Sequence, residues 1–290
     1  LYMRKYVSLI IDIEKSKSYS IVDRNEMQHF LDRCIRNLNI LYYNELQCEV
    51  TFSAGDEFQG LFNNVVSALS YLRILEMLVK PVKIRAGIGV GDWTIKIEHG
   101  LSTQQDGPAY YKARKAIEEA HNMQLQNIRI CSEKDDTLAN HLVNAAMPLK
   151  RQQIYMQNIV QVLVELLFPF VRKYDSLQEY DAVKELIGIK FNYKIGSKNR
   201  GMYSGRNIAM EREHLELEKI PKAVPIYVDE KINNIESTIT KKNTASIISE
   251  ILQCSRQNVD MIMRRGNVNK IRELDFVAMH YLVEIYEEDR

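Results

Sequence analysis

SAGDEFQGLF (53–62) is the stretch whose reading decides the fold. An apolar run enters a tight Ala-Gly-Asp turn and leaves as Phe58, Leu61 and Phe62, a pattern that predicts a hairpin of two short strands, Cys48–Ser53 and Glu57–Phe62. Working outward, YVSLIIDI (6–13) upstream is a β-rich apolar run ending in Asp12 and Ile13. Between them, from Asp23 to about Tyr43, apolar residues Met27, Phe30, Leu31, Cys34 and Leu38 recur at helical spacing. Downstream, Val65–Val79 predicts a second helix and Val82–Val90 a fourth strand. The order is β-α-β-β-α-β, which predicts an α+β fold: an antiparallel, ferredoxin-like (palm) sheet with its helices on one face. A further turn and helix follow from Gly107 to about Met123.

This topology gives the two aspartates a purpose. Asp12 ends the first strand, and Asp56 sits in the hairpin turn. In a split β-α-β sheet those strands are neighbours, so both carboxylates emerge at one edge, where they can share a divalent cation. Mg²⁺ (or Mn²⁺) takes one or two carboxylates and completes its shell with phosphate oxygens and water, and metals so held can activate a hydroxyl and neutralise a leaving pyrophosphate. Glu57, adjacent to Asp56, is a candidate third ligand or proton-transfer group. EKSKS (14–18) follows Asp12 directly, so Ser16, Lys17 and Ser18 are candidates for a triphosphate cradle. The helix after Gly107 offers its N-terminus to an anion, Arg114 and Lys115 to phosphate, and Tyr110 or Tyr111 to a base. One of two adjacent aromatics on a helix is expected to pack in the core.

Composition bounds the rest. With 290 residues, 46% hydrophobic and 27% charged, the chain reads as a globular protein of two or three domains. The formal net charge of +1 excludes bulk attraction to nucleic acid or membrane, so any DNA contact must come from a local patch. Cys34, Cys48, Cys131 and Cys254 form no CxxC pair and the six histidines form no HExxH, which argues against zinc and disulfides and for a cytoplasmic setting. The apolar N-terminal run ends in Asp12 and reads as a buried strand rather than a signal segment. The longest apolar stretch, IVQVLVELLFPFV (159–171), contains Glu165 and Pro169 and is too short to span a bilayer. We therefore expect a palm domain over 1–136 and a helical connector with an irregular insertion over 137–238. The remainder, 239–290, is expected to form a helix-turn-helix domain.

The last of these rests on TASIISEILQCSRQNVDMIMRRGN (244–267). Ile248, Leu252, Val259 and Ile262 supply an interior, Ser255 a helix cap, and Gln253 occupies the turn position that commonly needs a positive φ. Arg256, Gln257, Asp260 and Arg264 then point outward, the types that read base edges and phosphates of double-stranded DNA.

GDEF in the hairpin resembles the signature of diguanylate cyclases, and LIIDIEKS with KIRAGIGVG resembles the class III nucleotidyl cyclase core. The fullest resemblance is to the SatD family: an IxDIxxS start, GDEFQG, KIRxGIGxG, DGPAYYKAR and a terminal helix-turn-helix. The cyclase resemblance implies metal at Asp12, Asp56 and the carbonyl of Ile13. It also implies an Asn on the helix after Gly107 and an Arg four residues later. Here those positions hold Tyr111 and Lys115, with Arg114 one step early. Two functions therefore stand open. One is a nucleotide-responsive transcriptional regulator. The other is a nucleotidyl cyclase or nucleotidyltransferase making a cyclic or oligomeric signal. A third reading is an interaction module with an inactive palm. Two copies could meet as a homodimer.

Overall fold

The computed structural model describes residues 5–53, 55–175, 177, 180–192, 215–232 and 234–287. Strand β1 (Tyr6–Ile13) leads through helix α1 (Ile21–Leu41) to the hairpin β2 (Leu46–Phe52) and β3 (Glu57–Phe62). Helix α2 (Val65–Val79) and strand β4 (Ile84–Gly91) follow, then helix α3 (Pro108–Asn122) and strand β5 (Ile128–Cys131). The sheet order is β2-β3-β1-β4-β5, with β1 antiparallel to both β3 and β4 and β5 parallel to β4. The molecule is α+β, and β5 makes the sheet mixed where the pattern predicted an antiparallel one.

Alternation along β1 sends successive side chains to opposite faces. Leu9, Ile11 and Ile13 join the main core with α1 and α2, while Ile10 packs with Ala113 and Ile117 of α3. Helices therefore cover both faces, not the one expected. The reason lies in β4: a Cβ at Gly89 would stand 2.1 Å from the Ala109 carbonyl oxygen and 2.2 Å from the Ala113 nitrogen. Bare backbone at Gly87 and Gly89, facing the alanines of α3, lets the helix lie directly on the sheet.

Beyond β5 the expected helical stretch breaks into α4 (Thr137–Leu142), α5 (Met147–Gln152) and α6 (Tyr155–Leu167). Among the described residues, the expected irregular insertion carries regular elements. Strand β6 (Phe170–Val171) pairs in parallel with β7 (Ile226–Tyr227), and helix α7 (Tyr180–Asn192) packs on α1. Residues 193–214 of that insertion, with Gly196, Gly201 and Gly205, lie outside the described residues. The chain ends in α8 (Ile235–Ile239), α9 (Thr244–Ile251), α10 (Arg256–Arg265) and α11 (Val268–Tyr286). No helix among the described residues is long and apolar enough to cross a membrane.

One hydrophobic cluster runs without a break from Val7 of β1 to Leu282 of α11, across the boundaries the sequence implied at 136 and 238. Inside it lies a buried ionic network. Arg73 of α2 pairs with Asp275 of α11 at 2.7 Å and Glu165 of α6 at 3.1 Å. Arg272 of α11 pairs with Glu165 at 2.6 Å, and Lys150 of α5 with Asp275 at 3.1 Å.

Candidate functional site

Asp12 stands opposite Glu57 of β3 and Arg85 of β4, so three charged side chains line up across adjacent strands. They share the α3 face of the sheet, and α3 brings Arg114 and His121 over them. Arg114 grips Glu57 with a two-pronged contact, donating at 2.6 and 2.7 Å. His121 Nε2 lies 2.9 Å from Asp12 Oδ2, and its other ring nitrogen, Nδ1, is 2.8 Å from an Arg85 nitrogen. Arg85 itself reaches Asp12 at 3.7 Å and Glu14 at 3.8 Å. Asn127 steadies Glu14 by donating to it at 2.7 Å.

The second oxygen of Asp12, Oδ1, is buried and accepts no hydrogen bond. Burial pushes the Asp12 carboxyl above the usual range. His121 and Arg85 oppose that shift, while the negative charges of Asp56 and Glu57 add to it. Asp56 is half-buried in the hairpin just after Gly55, whose φ of +64° forms the turn. Two carboxylates within electrostatic reach, one carrying an unsatisfied buried oxygen, form a hard donor set suited to Mg²⁺ or Mn²⁺. Among the described residues, no group of three or more His, Cys, Asp or Glu is arranged to hold a metal ion by itself. An ion here would therefore take the remainder of its shell from substrate oxygens and water.

The other expected residues divide. Ser16–Ser18 forms a short 3₁₀ turn directly after β1, reached through Lys15 at a φ of 55°. Ser16 is buried, Lys17 is exposed, and the Ser18 hydroxyl donates to the Lys15 carbonyl at 2.7 Å. The side chain of Ile13 is in the core, which leaves its backbone carbonyl as the group a cation could use. Tyr110 is the core member of the tyrosine pair, packed with Cys48 and Leu61. Tyr111 is exposed, its hydroxyl donating to Asp106 at 2.7 Å. Lys115 is exposed as well, and its charge acts on Cys131 of β5, away from the carboxylates. The sequence reading missed Arg85 and His121. Each carried a signal: Arg85 lies in phase with the glycine face of β4, and His121 stands two helical turns beyond Arg114.

At the far end of the chain, α9 and α10 pack together through a tight turn in which Gln253 takes a φ of +48°. The backbone nitrogen of Asn258 donates to the Ser255 hydroxyl at 3.2 Å, capping α10, and Val259 is fully buried. Gln257 and Arg264 are exposed. Arg256 and Asp260 project outward as a 3.7 Å pair.

No curated protein matches this chain. The family model for the SatD family matches residues 6–189, which takes in the whole five-stranded sheet and runs on through most of α7 but stops before α9. Since that match spans more than half of the 290 residues, the chain belongs to the SatD family.

Proposed function

We propose that the sheet is a ferredoxin-like palm that binds a nucleoside triphosphate with Mg²⁺ or Mn²⁺ between Asp12 and Asp56. In this reading α9 and α10 form a helix-turn-helix that reads double-stranded DNA. The protein is then a nucleotide-responsive transcriptional regulator. The observation that carries the reading is Asp12 Oδ1, a buried carboxylate oxygen with no hydrogen-bond donor, beside the charges of Asp56 and Glu57. A buried acceptor without a partner costs about 1–3 kcal/mol, and a cation at that oxygen removes the cost. A bound divalent ion would also neutralise phosphate oxygens and lower the repulsion between the carboxylates. Arg114 orients Glu57 and can offer the same planar fork to a phosphate. The backbone nitrogens of Lys15, Ser16 and Lys17 follow Asp12 closely, where a phosphate would follow the metal. The exposed Arg256, Gln257 and Arg264 present base-reading and phosphate-binding groups on one helix.

The rival reading is a nucleotidyl cyclase or nucleotidyltransferase. Sensing is favoured by the positions where the cyclases place Asn and Arg. Tyr111 is tied to Asp106, and Lys115 lies toward β5. Calorimetric titration of the full chain with each NTP, with and without Mg²⁺, tests the palm. We expect metal-dependent binding that Asp56→Asn abolishes with thermal stability nearly unchanged. Equal affinity in the variant overturns the assignment. Mass spectrometry of the same mixtures decides the rival, because a cyclic or linked product makes the protein an enzyme. Selection on random duplexes, with and without the bound NTP, tests the helix pair. If no site is enriched, the regulator reading fails.

A further inference from the structure

Where α2 ends and β4 begins, the sheet meets α5 and α6 around a cavity of about 110 Å³. Its walls are apolar at Met77, Ile84 and Met147, and its rim carries one carboxylate, Glu76, with the cations Lys80, Lys83, Lys150 and Arg151. Two of these are committed elsewhere: Lys80 donates to the carbonyls of Lys150 and Gln153, and Lys150 pairs with Asp275 and Glu76. Two others, Lys83 and Arg151, have no carboxylate partner among the described residues. Asn158 of α6 also lines the space; it is 2% exposed, and its Oδ1 accepts no hydrogen bond.

We propose that this cavity binds a small organic anion that carries a hydroxyl or N–H group. The donor satisfies Asn158 Oδ1, the carbon body lies on the methionines, and the charge faces Lys83 and Arg151. Burial also lowers the Lys80 ammonium to about 8, so one more cation at the rim has little water around it. The site adjoins both ends of the molecule. Ile84 precedes Arg85 of the carboxylate site, and Gln153 on the cavity wall donates to the carbonyl of Gly266, which closes α10, at 2.8 Å. The inference does not depend on nucleotide binding at Asp12 and Asp56.

Met77 and Met147 make the test direct. The full chain, labelled with ¹³C at its methionine methyls, is titrated with lactate, glycerol 3-phosphate, propionate and propane-1,2-diol. We expect lactate or glycerol 3-phosphate to shift the Met77 and Met147 resonances, the tighter of the two naming a carboxylate or a phosphate ester as the ligand. Propionate, which lacks the donor, and the neutral diol should bind at least about tenfold more weakly. Asn158→Leu, matched in shape, should weaken binding about tenfold or more, and Lys83→Gln with Arg151→Gln should do the same without touching the buried residue. Asp56→Asn should leave this binding unchanged, which separates the cavity from the proposed nucleotide site. The proposal is overturned if no probe moves the two methionines, if both variant proteins bind as the wild type does, or if the diol binds as well as the anions.

Discussion

Asp12 and Lys190 show two ways in which a single buried charge is handled. Around Asp12 the chain supplies opposite charge, from His121 and Arg85, yet leaves one oxygen unsatisfied. Lys190 of α7, fully buried, receives carbonyl groups, donating to Leu78 at 2.8 Å and Lys80 at 2.9 Å at the end of α2. Burial accordingly lowers its ammonium to about 7. The unfolded chain keeps that lysine protonated to its ordinary value near 10.4. Between pH 7 and that value the unfolded state therefore binds more protons, and stability rises with pH by at most about 1.4 kcal/mol per unit. Below pH 7 both states are protonated and the slope vanishes. We expect denaturant midpoints of the wild type to gain on those of Lys190→Met from pH 7 to 9. Parallel curves would show that Lys190 stays charged throughout that range. At this scale the sequence showed the acidic half of the site, since Asp12, Asp56 and Glu57 fall at strand ends and in a turn. Of the basic half only Arg114 was named, as a phosphate ligand; Arg85 meets Asp12 only once β4 lies beside β1, and His121 only once α3 lies on the sheet.

The docking of α3 is a property of elements, and it depends on β4. The spacing of Gly87, Gly89 and Gly91 puts three glycines on one face of the strand, against Ala109, Ala113 and Ile117. The periodicity was visible in AGIGVG, but a glycine run alone does not say what approaches it. That is why a one-faced sheet was the natural expectation. Gly89→Ala would drive a methyl into the α3 backbone, whose atoms cannot rotate away as a side chain could. We expect a loss of about 1–3 kcal/mol, typical of overpacking, and displacement of Arg114 and His121 from Glu57 and Asp12. Gly55→Ala, with nothing within 4 Å of the new methyl, should cost only the strain of a φ of +64°. Thermal melts of the two variants separate the effects: an equal loss at both positions would mean that α3 gives way to accommodate the methyl. The α9–α10 turn was legible in finer detail, because Ser255 and Gln253 act locally and their neighbours in sequence fix their conformation.

Across the whole molecule, the sequence reading of separate devices meets a core that crosses every proposed boundary. Arg73, Lys150, Glu165, Arg272 and Asp275 come from four helices distant in the chain, so no local pattern announces their partnership. Glu165 stood out in the sequence only as a charge interrupting an apolar run. Asp275 holds two cations at once, Arg73 of α2 and Lys150 of α5. Asp275→Asn keeps the shape but removes the charge shared by both cations, leaving Arg73 with Glu165 and Lys150 with Glu76, and removing one partner of a buried ion pair costs about 3–5 kcal/mol. Against a total stability of about 5–15 kcal/mol, that is a large share. Its distribution is as informative as its size. Arg73 lies under the sheet and Asp275 on the last helix, so a loss at their contact weakens both halves together. Trp93, the only tryptophan, follows β4 and reports on the sheet by fluorescence, while circular dichroism follows the helices. We expect both signals to move to the same lower denaturant midpoint in Asp275→Asn, as one transition. If the helical signal falls early while Trp93 holds its wild-type midpoint, the two halves unfold independently. A shared transition would mean that any ligand stabilising the sheet also stabilises the packing beneath α10. That is the mechanical condition under which the proposed nucleotide site would alter the proposed DNA contacts.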